Sequence, residues 1–365
     1  MRTAFGVRCS LLTLFTVGGR LLTYEKRTLE VVSIVWTVTR ITLMPTLPTL
    51  SIVFPNYNHG KYLDNCLTSC LAQSAPPQEI IVIDDASTDN SVEIAEGFVR
   101  RYPQIRLYRN EVNRGTNITS NRGWDLATGE VVGVFSVDDD LMPGFFEKSL
   151  RLLAEHPQAA YCGTITEYTD MATGATWYLG AKVSDQPAYL SPRQMVELCR
   201  QDRLHVASCS MLARRKCFLA AGKYLADLKW HSDWFISFVM GFRHGICFVP
   251  EPLSKFYIHP HSFSSKGRNQ TKAQMEVLRN ILARLDEPQY ADVAPYARSA
   301  LALTIFGKEM LWLLLTHRRY WKHLSPMYFW NTFWWIGRVE ARKIVPAKAA
   351  DLLLQLGGWK KLPQK

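Results

Sequence analysis

The sequence lacks the patterns that mark several large classes of protein. Its eight cysteines include no CxxC pair, which argues against a structural zinc site and favours reduced thiols in a cytosolic protein. Its strand-to-helix turns carry neither GxGxxG nor GxxxxGK[ST], which argues against a standard dinucleotide or P-loop site. No uninterrupted apolar run reaches about 18 residues, so we expect no transmembrane helix. Low-complexity tracts and internal repeats are also absent, and 47% hydrophobic residues suffice for a large core.

Three consecutive carboxylates, Asp138, Asp139 and Asp140, follow the apolar run 131–137. An apolar run that ends in acids predicts a buried strand with the acids at its C-terminal end, where open α/β sheets bind ligands. Clustered carboxylates repel one another unless a cation lies between them, and Mg²⁺ or Mn²⁺ is the usual choice. We therefore expect a divalent cation with positions free for substrate phosphates. The alternative is an acidic turn in solvent.

Two earlier apolar runs also end in polar turns that precede helical patterns. The first stops at Pro55-Asn56-Tyr57, and the second stops at Asp84-Asp85. Alternation of strand, polar turn and helix predicts βαβ units around a parallel sheet. Right-handed crossovers bring such turns to one edge of the sheet. We therefore expect both turns and the three acids to converge in space.

Three blocks, in this order, resemble the opening blocks of the family 2 glycosyltransferases: SIVFPNYNHGKYLDNCLTSCLAQ, EIIVIDDASTDNS and NRGTNITSNRGWDLATGEVVGVFSVDDD. The resemblance runs from about residue 51 to residue 264. It implies an α/β GT-A fold, which is Rossmann-like with a mostly parallel sheet flanked by helices. It also implies a nucleotide-diphosphate sugar as donor and inversion at the anomeric centre.

The resemblance also implies a division of the chain into three parts. We expect a GT-A domain over residues 46–265, followed by a basic, aromatic-rich helical region over residues 266–365. Residues 1–45 form a leader whose status the sequence leaves open. The first family block begins only at Ser51, and Met44 would make an ordinary start.

Four residues of the first two turns receive nucleotide-binding roles from the resemblance. Pro55 and Tyr57 fall where the family lines the nucleobase pocket. Asp85, the second acid of its pair with Asp84, falls where a carboxylate accepts a hydrogen bond from the base. We expect these four residues to contact the nucleotide.

The metal ligands follow less directly from the resemblance. Asp138 and Asp139 fall on the ribose- and metal-binding acids, although Ser136 replaces the first Asp of the family's Asp-x-Asp-Asp signature. A shift by one residue would make Asp138 and Asp140 the pair. His259, in a block similar to the family's R-x-H-x-x-S-x-S, is a further candidate metal or phosphate ligand. Its alternative is an ordinary loop histidine.

An inverting transfer needs a general base that removes the proton of the acceptor hydroxyl. The resemblance assigns this role to Asp233, with Ser232 where the family often has Glu. The alternative is that Asp233 only caps a helix over residues 234–242, and both interpretations can hold together. Four basic residues are candidate phosphate partners: Arg114, Arg122, Lys266 and Arg268.

The positive charge is concentrated at the C-terminal end. Residues 311–365 contain ten Lys and Arg residues against Glu340 and Asp351, together with six of the eleven Trp residues. Basic residues interleaved with aromatic residues suit an anionic membrane surface. Packing of the aromatic residues against the catalytic domain explains them equally well. We expect no nucleic-acid partner, because no motif of that kind is present.

Together these patterns predict a metal-dependent, inverting glycosyltransferase. It would transfer a sugar to a hydroxyl of a glycan or lipid-linked acceptor, as in surface polysaccharide biosynthesis, in the cytoplasm or peripherally on the cytoplasmic face of the membrane. The alternative is a non-catalytic GT-A-like module that binds nucleotide sugars, which Ser136 and the replacement of the family's Arg by Tyr257 favour. Retention of four acids favours activity: Asp85, Asp138, Asp139 and Asp233.

Overall fold

A computed structural model describes residues 13–17, 20–24, 46–259, 267 and 270–344, with side chains described for 46–259, 267 and 270–337. The chain divides into two compact units, residues 1–46 and residues 47–365. In the first unit, β1 (Thr13–Val17) pairs with β2 (Arg20–Tyr24) as an antiparallel hairpin. The rest of the predicted leader, residues 1–45, lies outside the described residues.

A ten-stranded sheet is the centre of the second unit over the described residues. Its strands are β3 (Leu50–Asn56), β4 (Glu79–Asp84), β5 (Ile105–Arg109), β6 (Val131–Val134), β7 (Asp140–Leu141), β8 (Tyr161–Asp170), β9 (Thr176–Leu179), β10 (Ala188–Leu190), β11 (Met211–Arg214) and β12 (Ile246–Ile258). The order is β10-β12-β8-β11-β6-β3-β4-β5, with β7 beside β12 and β9 beside β8. The block from β6 to β5 is parallel, as predicted. Next to it, β11 runs antiparallel to both of its neighbours.

Helices cover both faces of this sheet. They are α1 (Gly60–Leu71), α2 (Ser91–Arg101), α3 (Thr116–Leu126), α4 (Phe145–Glu155), α5 (Pro192–Arg200), α6 (Arg215–Ala221), α7 (Ser232–His244), α8 (Thr271–Leu285), α9 (Ala294–Ser299), α10 (Gly307–Thr316) and α11 (Pro326–Ile344). Every residue of β4 is buried, which is why this strand is nearly continuous in apolar residues.

Alternate residues of the central strands belong to two separate cores. Ile52 and Val82 pack with α1 and α2 on one face, whereas Val53 and Ile81 pack with α3 and the C-terminal helices on the other. The helix α3 lies especially close to the sheet, because a Cβ atom at Gly123 would be only 2.2 Å from Val53 Cγ1. The period of two along each strand therefore fixes both layers.

The strand before the acids is shorter than the sequence predicts. The prediction covered residues 131–137, but β6 ends at Val134 and a turn carries the next residues. Phe135 and Val137 in that turn are nevertheless buried in the core. The apolar run thus shows which residues are buried, and it does not show how long the strand is.

The described part of the C-terminal region, residues 270–344, is largely helical, as predicted. The helices α8, α10 and α11 bury Leu278, Leu313 and Tyr328 in the same core as Val53, while the domain boundary at residues 265 and 266 stays a prediction. Over the described residues, the structure has no helix with both the length and the apolar character needed to cross a membrane.

Candidate active site

The turns after β3 and β4 meet through backbone and side-chain hydrogen bonds. The Asp85 amide donates to the Asn56 carbonyl oxygen at 2.8 Å. The buried Asp84 carboxylate accepts from Asn56 Nδ2 at 3.4 Å and from the Ser87 amide at 3.0 Å. Asp84 therefore holds the two turns together, and its direct contact with a nucleotide stays a prediction.

Asp85 lies at the centre of this edge of the sheet. Its Oδ1 accepts from Asn110 Nδ2 at 2.6 Å and from the Arg114 amide at 2.9 Å, and its Oδ2 accepts from the Gly115 amide at 2.9 Å. Gly115 has φ of 83°, a conformation that glycine adopts readily. A carboxylate with three donors is fixed in place and retains lone-pair capacity on Oδ2 for a further donor.

The predicted nucleobase pocket has an exposed aromatic ring beside this carboxylate turn. Tyr57 directly follows β3 and is 45% exposed, whereas Pro55, within the strand, is half-buried. An exposed ring at the end of a strand offers a flat apolar surface for stacking. The structure thus brings Pro55 and Tyr57 to the same edge as Asp84 and Asp85.

The three consecutive acids occupy different environments. Asp139 is buried, Asp138 is half-buried and Asp140 is exposed. The hydroxyl of Ser136 donates to Asp138 Oδ1. On the other side of this carboxylate, His259 Nε2 lies 3.9 Å from Asp138 Oδ2. Asp138 and His259, two of the predicted metal ligands, are therefore neighbours.

Tyr257 organises the remaining two acids from strand β12. Its hydroxyl donates to Asp140 Oδ2 at 2.6 Å, and this bond raises the pKa of Tyr257 to about 12. Burial raises the pKa of Asp139 well above its usual range, the charges of Asp138 and Asp140 raise it further, and the Tyr257 amide opposes the shift. The residue in the family's Arg position therefore acts as a hydrogen-bond donor to the acids.

The donor set suits a divalent cation that also binds substrate. Among the residues with described side chains, no three His, Cys, Asp or Glu side chains form a group that could hold a metal by itself. A cation that binds substrate phosphates often has only one or two protein carboxylates. The Asp138 carboxylate and the His259 imidazole provide oxygen and nitrogen ligands, a combination compatible with Mn²⁺. The direct coordination by Asp139 stays a prediction.

Asp233 lies in the first turn of α7 and not at its cap. The helix begins at Ser232 and has His231 as its N-cap residue, so the alternative in which Asp233 caps a helix over residues 234–242 is wrong. Asp233 Oδ2 accepts from Ser208 Oγ at 2.9 Å, and Oδ1 accepts from the Trp234 amide at 2.7 Å. A carboxylate in the first turn also interacts favourably with the helix dipole.

A short 3₁₀ turn, Ser208–Ser210, links the acids to Asp233. Burial raises the pKa of the Cys209 thiol, and the charges of both Asp139 and Asp233 raise it further. Cys209 is therefore within electrostatic reach of both carboxylates. Sequence reasoning missed Ser208 and Cys209, because this turn carries no motif and only its tertiary contacts reveal it.

The asparagines of α3 fix the loop that precedes Asp233. Asn117 Nδ2 donates to the Lys229 carbonyl oxygen at 2.9 Å. Asn121 donates to the Tyr224 carbonyl oxygen at 2.8 Å and accepts from its amide at 3.0 Å. Lys229 has φ of 47° and ψ of −118°, a conformation that costs energy in a residue with a Cβ atom.

The candidate phosphate partners differ in whether their side chains are free to contact a phosphate. The Arg114 side chain is exposed at the end of the loop that Asp85 holds. Arg122 Nη1 instead donates to the Arg109 carbonyl oxygen at 2.8 Å and to Asn110 Oδ1 at 2.5 Å. Arg122 is thus engaged in the framework. Lys266 and Arg268 lie outside the described residues.

Comparison with known proteins finds similarity to glycosyltransferases. Residues 51–219 match the sequence profile of Glycosyl transferase family 2. An uncharacterized glycosyltransferase of Escherichia coli (strain K12), YibD, is 27% identical over 268 residues, which are 68% of this chain and 74% of the relative.

Two solved structures share the fold. S. aureus TarS in complex with UDP-GlcNAc has a TM-score of 0.55 at 16% identity, over 84% of this chain and 83% of that one. The mannosyltransferase PcManGT from Pyrobaculum calidifontis, in complex with GDP-Man and Mn²⁺, has a TM-score of 0.50 at 14% identity, over 89% and 86%. The predicted GT-A fold is thereby confirmed. The chain is thus similar to the family 2 glycosyltransferases, whose sequence pattern it carries in residues 51–219.

Proposed function

We propose that the protein transfers a sugar from a nucleotide-diphosphate sugar, with inversion, to a hydroxyl of a glycan or lipid-linked acceptor. The observation that supports this proposal most is that the Asp138 carboxylate and the His259 imidazole lie 3.9 Å apart. The Asp85 carboxylate is fixed after β4, and the Asp233 carboxylate is held by Ser208. Nucleotide recognition, cation binding and proton removal are the three requirements of such a transfer.

The donor would bind along the edge from Tyr57 to Asp138. Tyr57 stacks on the nucleobase, and Asp85 accepts a hydrogen bond from the base through Oδ2. Asp138 and His259 hold a divalent cation, which supplies neutralisation of the negative charge on the departing diphosphate. Arg114 lies where it can assist with the phosphates. The solved structures with this fold contain UDP-GlcNAc, or GDP-Man and Mn²⁺, which supports a donor and a cation of these classes.

Asp233 acts as the general base for the acceptor hydroxyl. Its Oδ2 accepts a hydrogen bond from Ser208 Oγ at 2.9 Å, which orients the carboxylate. The proton moves from the acceptor hydroxyl to Asp233 as the oxygen attacks the anomeric carbon. Fixed positions for donor and base reduce the entropic cost of this step.

The reaction takes place on the cytoplasmic side in this proposal, within the assembly of surface polysaccharide. All seven cysteines among the described residues are free. Free thiols support a reducing compartment. A carbohydrate acceptor that is built there would offer its terminal hydroxyl to Asp233.

The test combines nucleotide-sugar binding with turnover. Purified protein is screened by thermal shift against UDP, GDP and their sugars, with Mn²⁺, with Mg²⁺ and with a chelator. A ligand at 100 times its Kd should add about 2.7 kcal/mol to the free energy of unfolding. The matching nucleotide sugar should then be consumed slowly by hydrolysis without acceptor, and rapidly with acceptor by transfer of the sugar and release of the nucleoside diphosphate.

Two outcomes would contradict the proposal in different ways. Stabilisation by a nucleotide sugar without any turnover on a panel of glycan and lipid-linked acceptors would favour the non-catalytic binding module. No stabilisation by any nucleotide sugar in a folded sample would remove the donor assignment itself. Asp185→Asn, a change at an exposed carboxylate, is the matched control for the variants of the acids.

A further inference from the structure

The C-terminal helices expose an unusual number of large apolar side chains. We name this surface the aromatic face, and its members are Trp312, Leu315, Trp321, Met327, Phe329, Trp330, Phe333 and Trp334. Their exposed fractions run from 42% for Phe329 to 76% for Phe333. Exposed apolar side chains gathered in one segment, from Trp312 to Trp334, favour a site of interaction.

The helix α11 presents its larger apolar residues to solvent. Among its residues with described side chains, Tyr328 and Thr332, which are four positions apart, are buried. Met327, Trp330 and Trp334 are spaced by three and four residues, which places them on one stripe of the exposed side. The Trp330 and Trp334 rings meet edge to face, with centroids 6.3 Å apart. Packing against the catalytic core therefore does not account for these side chains.

Within the segment that carries the aromatic face, the charge has a single sign, and the ion pair of Lys322 with Asp286 brings in a carboxylate from outside that segment. The sequence contains no Asp or Glu from Met310 to Val339. Arg318 and Arg319 are exposed there, and the Arg318 guanidinium lies 6.0 Å from the centroid of the Trp321 ring. Arginine next to tryptophan places a cation beside a ring that favours the boundary between lipid and water.

We infer that the aromatic face docks on an anionic lipid surface. Tryptophan and phenylalanine rings would enter the headgroup region, and the arginines would contact lipid phosphates. A second protein surface would need an acidic, concave complement, whereas a lipid leaflet provides negative charge over any area. This inference goes beyond the transfer reaction and rests on the proposed function only in one respect, that a lipid-linked acceptor would be presented at the same surface.

Co-sedimentation of the full chain with vesicles tests this docking. The vesicles are made of phosphatidylcholine alone or of phosphatidylcholine with phosphatidylglycerol. We expect binding to the anionic vesicles at least tenfold tighter than to the neutral ones, and the difference should shrink as salt shortens the Debye length of roughly 10 Å at 0.1 M. Tryptophan emission should shift to the blue on binding.

Two variants separate the apolar contribution from the charge. Changing Trp330, Phe333 and Trp334 to Gln should weaken binding to anionic vesicles at least tenfold. Changing Arg318 and Arg319 to Gln should weaken it by about fivefold for each charge at low salt. The matched control is Val112→Gln with Met171→Gln, two exposed apolar residues elsewhere, which should bind as the parent does.

Several outcomes would overturn the inference. These are equal binding to neutral and anionic vesicles, no binding to either, and an equal loss in the control variant. A concentration-dependent dimer that the triple variant abolishes would assign the face to a second copy of the chain. Protection of the tryptophans from iodide without vesicles would assign it to a cover within the chain or its copy.

Donor hydrolysis separates this inference from the proposed function. In vesicle-free solution, the triple variant should hydrolyse the nucleotide sugar at the parent rate, because none of the three residues lies among the predicted site residues. If the parent hydrolyses the nucleotide sugar but does not bind vesicles, the docking alone is refuted. Vesicle binding without turnover of any nucleotide sugar would refute the proposed function alone.

Discussion

The edge of the sheet buries charged side chains, whereas the aromatic face exposes large apolar ones. Both are the reverse of the usual distribution between interior and surface. At the edge, carboxylates are buried, with Asp84 1%, Asp85 3% and Asp139 5% exposed. On the aromatic face, Trp330 is 63% and Phe333 76% exposed. Each reversal costs free energy in the isolated chain.

The two regions differ in where the compensation comes from. Asn110 and the amides of Arg114 and Gly115 satisfy Asp85 within the chain, so this part of the site is formed before any ligand binds. The rings of Trp330 and Phe333 remain in solvent in the described structure. Buried polar groups with partners in the chain therefore mark a preorganised site, whereas exposed apolar groups mark a surface that is completed from outside.

Replacing Asp233, the proposed general base, should give the largest effect among the acids of the candidate site. We expect Asp233→Asn to reduce transfer by roughly 10²–10⁴-fold, the range for loss of a general base. Binding of the donor should stay near the parent value, because Asp233 lies on α7 and not on the nucleotide turns. Single-turnover kinetics and calorimetry measure the two quantities. Loss of donor binding with turnover preserved would give Asp233 another role.

A pair of acid variants sharpens the assignment of the cation site. Asp138→Asn should weaken the affinity for the donor in the presence of Mn²⁺ by at least about tenfold, which is the scale for weakened metal ligation. The increase in affinity that Mn²⁺ provides should thereby be lost. Asp140→Asn should retain most of it, because Asp140 bonds to the Tyr257 hydroxyl instead. Calorimetry with and without Mn²⁺ checks both variants. The reverse result would move the metal ligand to Asp140.

Asp85→Asn tests whether the edge is preorganised by its own hydrogen bonds. An asparagine places an NH₂ group against amide donors that now bond to a carboxylate, so the free energy of unfolding should fall by about 2–3 kcal/mol. Urea titration of this variant and of Asp185→Asn measures the difference. Unchanged stability would mean that the turn rearranges easily, and the contrast with the aromatic face would weaken.

A buried histidine beneath the C-terminal helices gives the smallest predicted effect near neutral pH. Burial, together with the charge of Lys322, lowers the pKa of His323 from 6.5 to about 4. The unfolded chain therefore binds the proton first as the pH falls. The free energy of unfolding should decrease between pH 6.5 and pH 4, by about 1.4 kcal/mol per pKa unit.

The His323→Gln variant isolates that decrease from the titration of other groups. It should lose less stability than the parent over the same pH range, whereas His317→Gln, at an exposed position, should behave as the parent does. Thermal unfolding at several pH values between 4 and 7.5 provides the comparison. Identical pH profiles for the parent and His323→Gln would show that this imidazole becomes protonated without cost.

Local patterns predicted the parts of the molecule that depend on short stretches of sequence. The βαβ order and the convergence of Tyr57, Asp85 and Asp138 follow from alternating apolar runs and polar turns. The antiparallel β11 did not follow, because its four residues pair with β6 and β8 through long-range contacts. The contact of Ser208 with Asp233 was missed for the same reason.

The sequence could not choose between the two interpretations of the C-terminal aromatic residues. Tyr328 packs in the core, whereas Trp330 lies in solvent, although both are aromatic and two positions apart. Composition reports only the total of such residues. The face that each one occupies depends on how α11 is rotated against α10, which is a property of tertiary packing.

The left-handed backbone at Lys229 has a consequence for engineering. A conformation of this kind costs about 1–3 kcal/mol in a residue with a side chain, and glycine would remove much of that cost. The hydrogen bond from Asn117 to the Lys229 carbonyl oxygen nevertheless holds this segment only four residues before Asp233. We therefore expect a variant with glycine here to resist heat better but to react more slowly. The peptide unit at this position would affect both the stability of the fold and the position of Asp233.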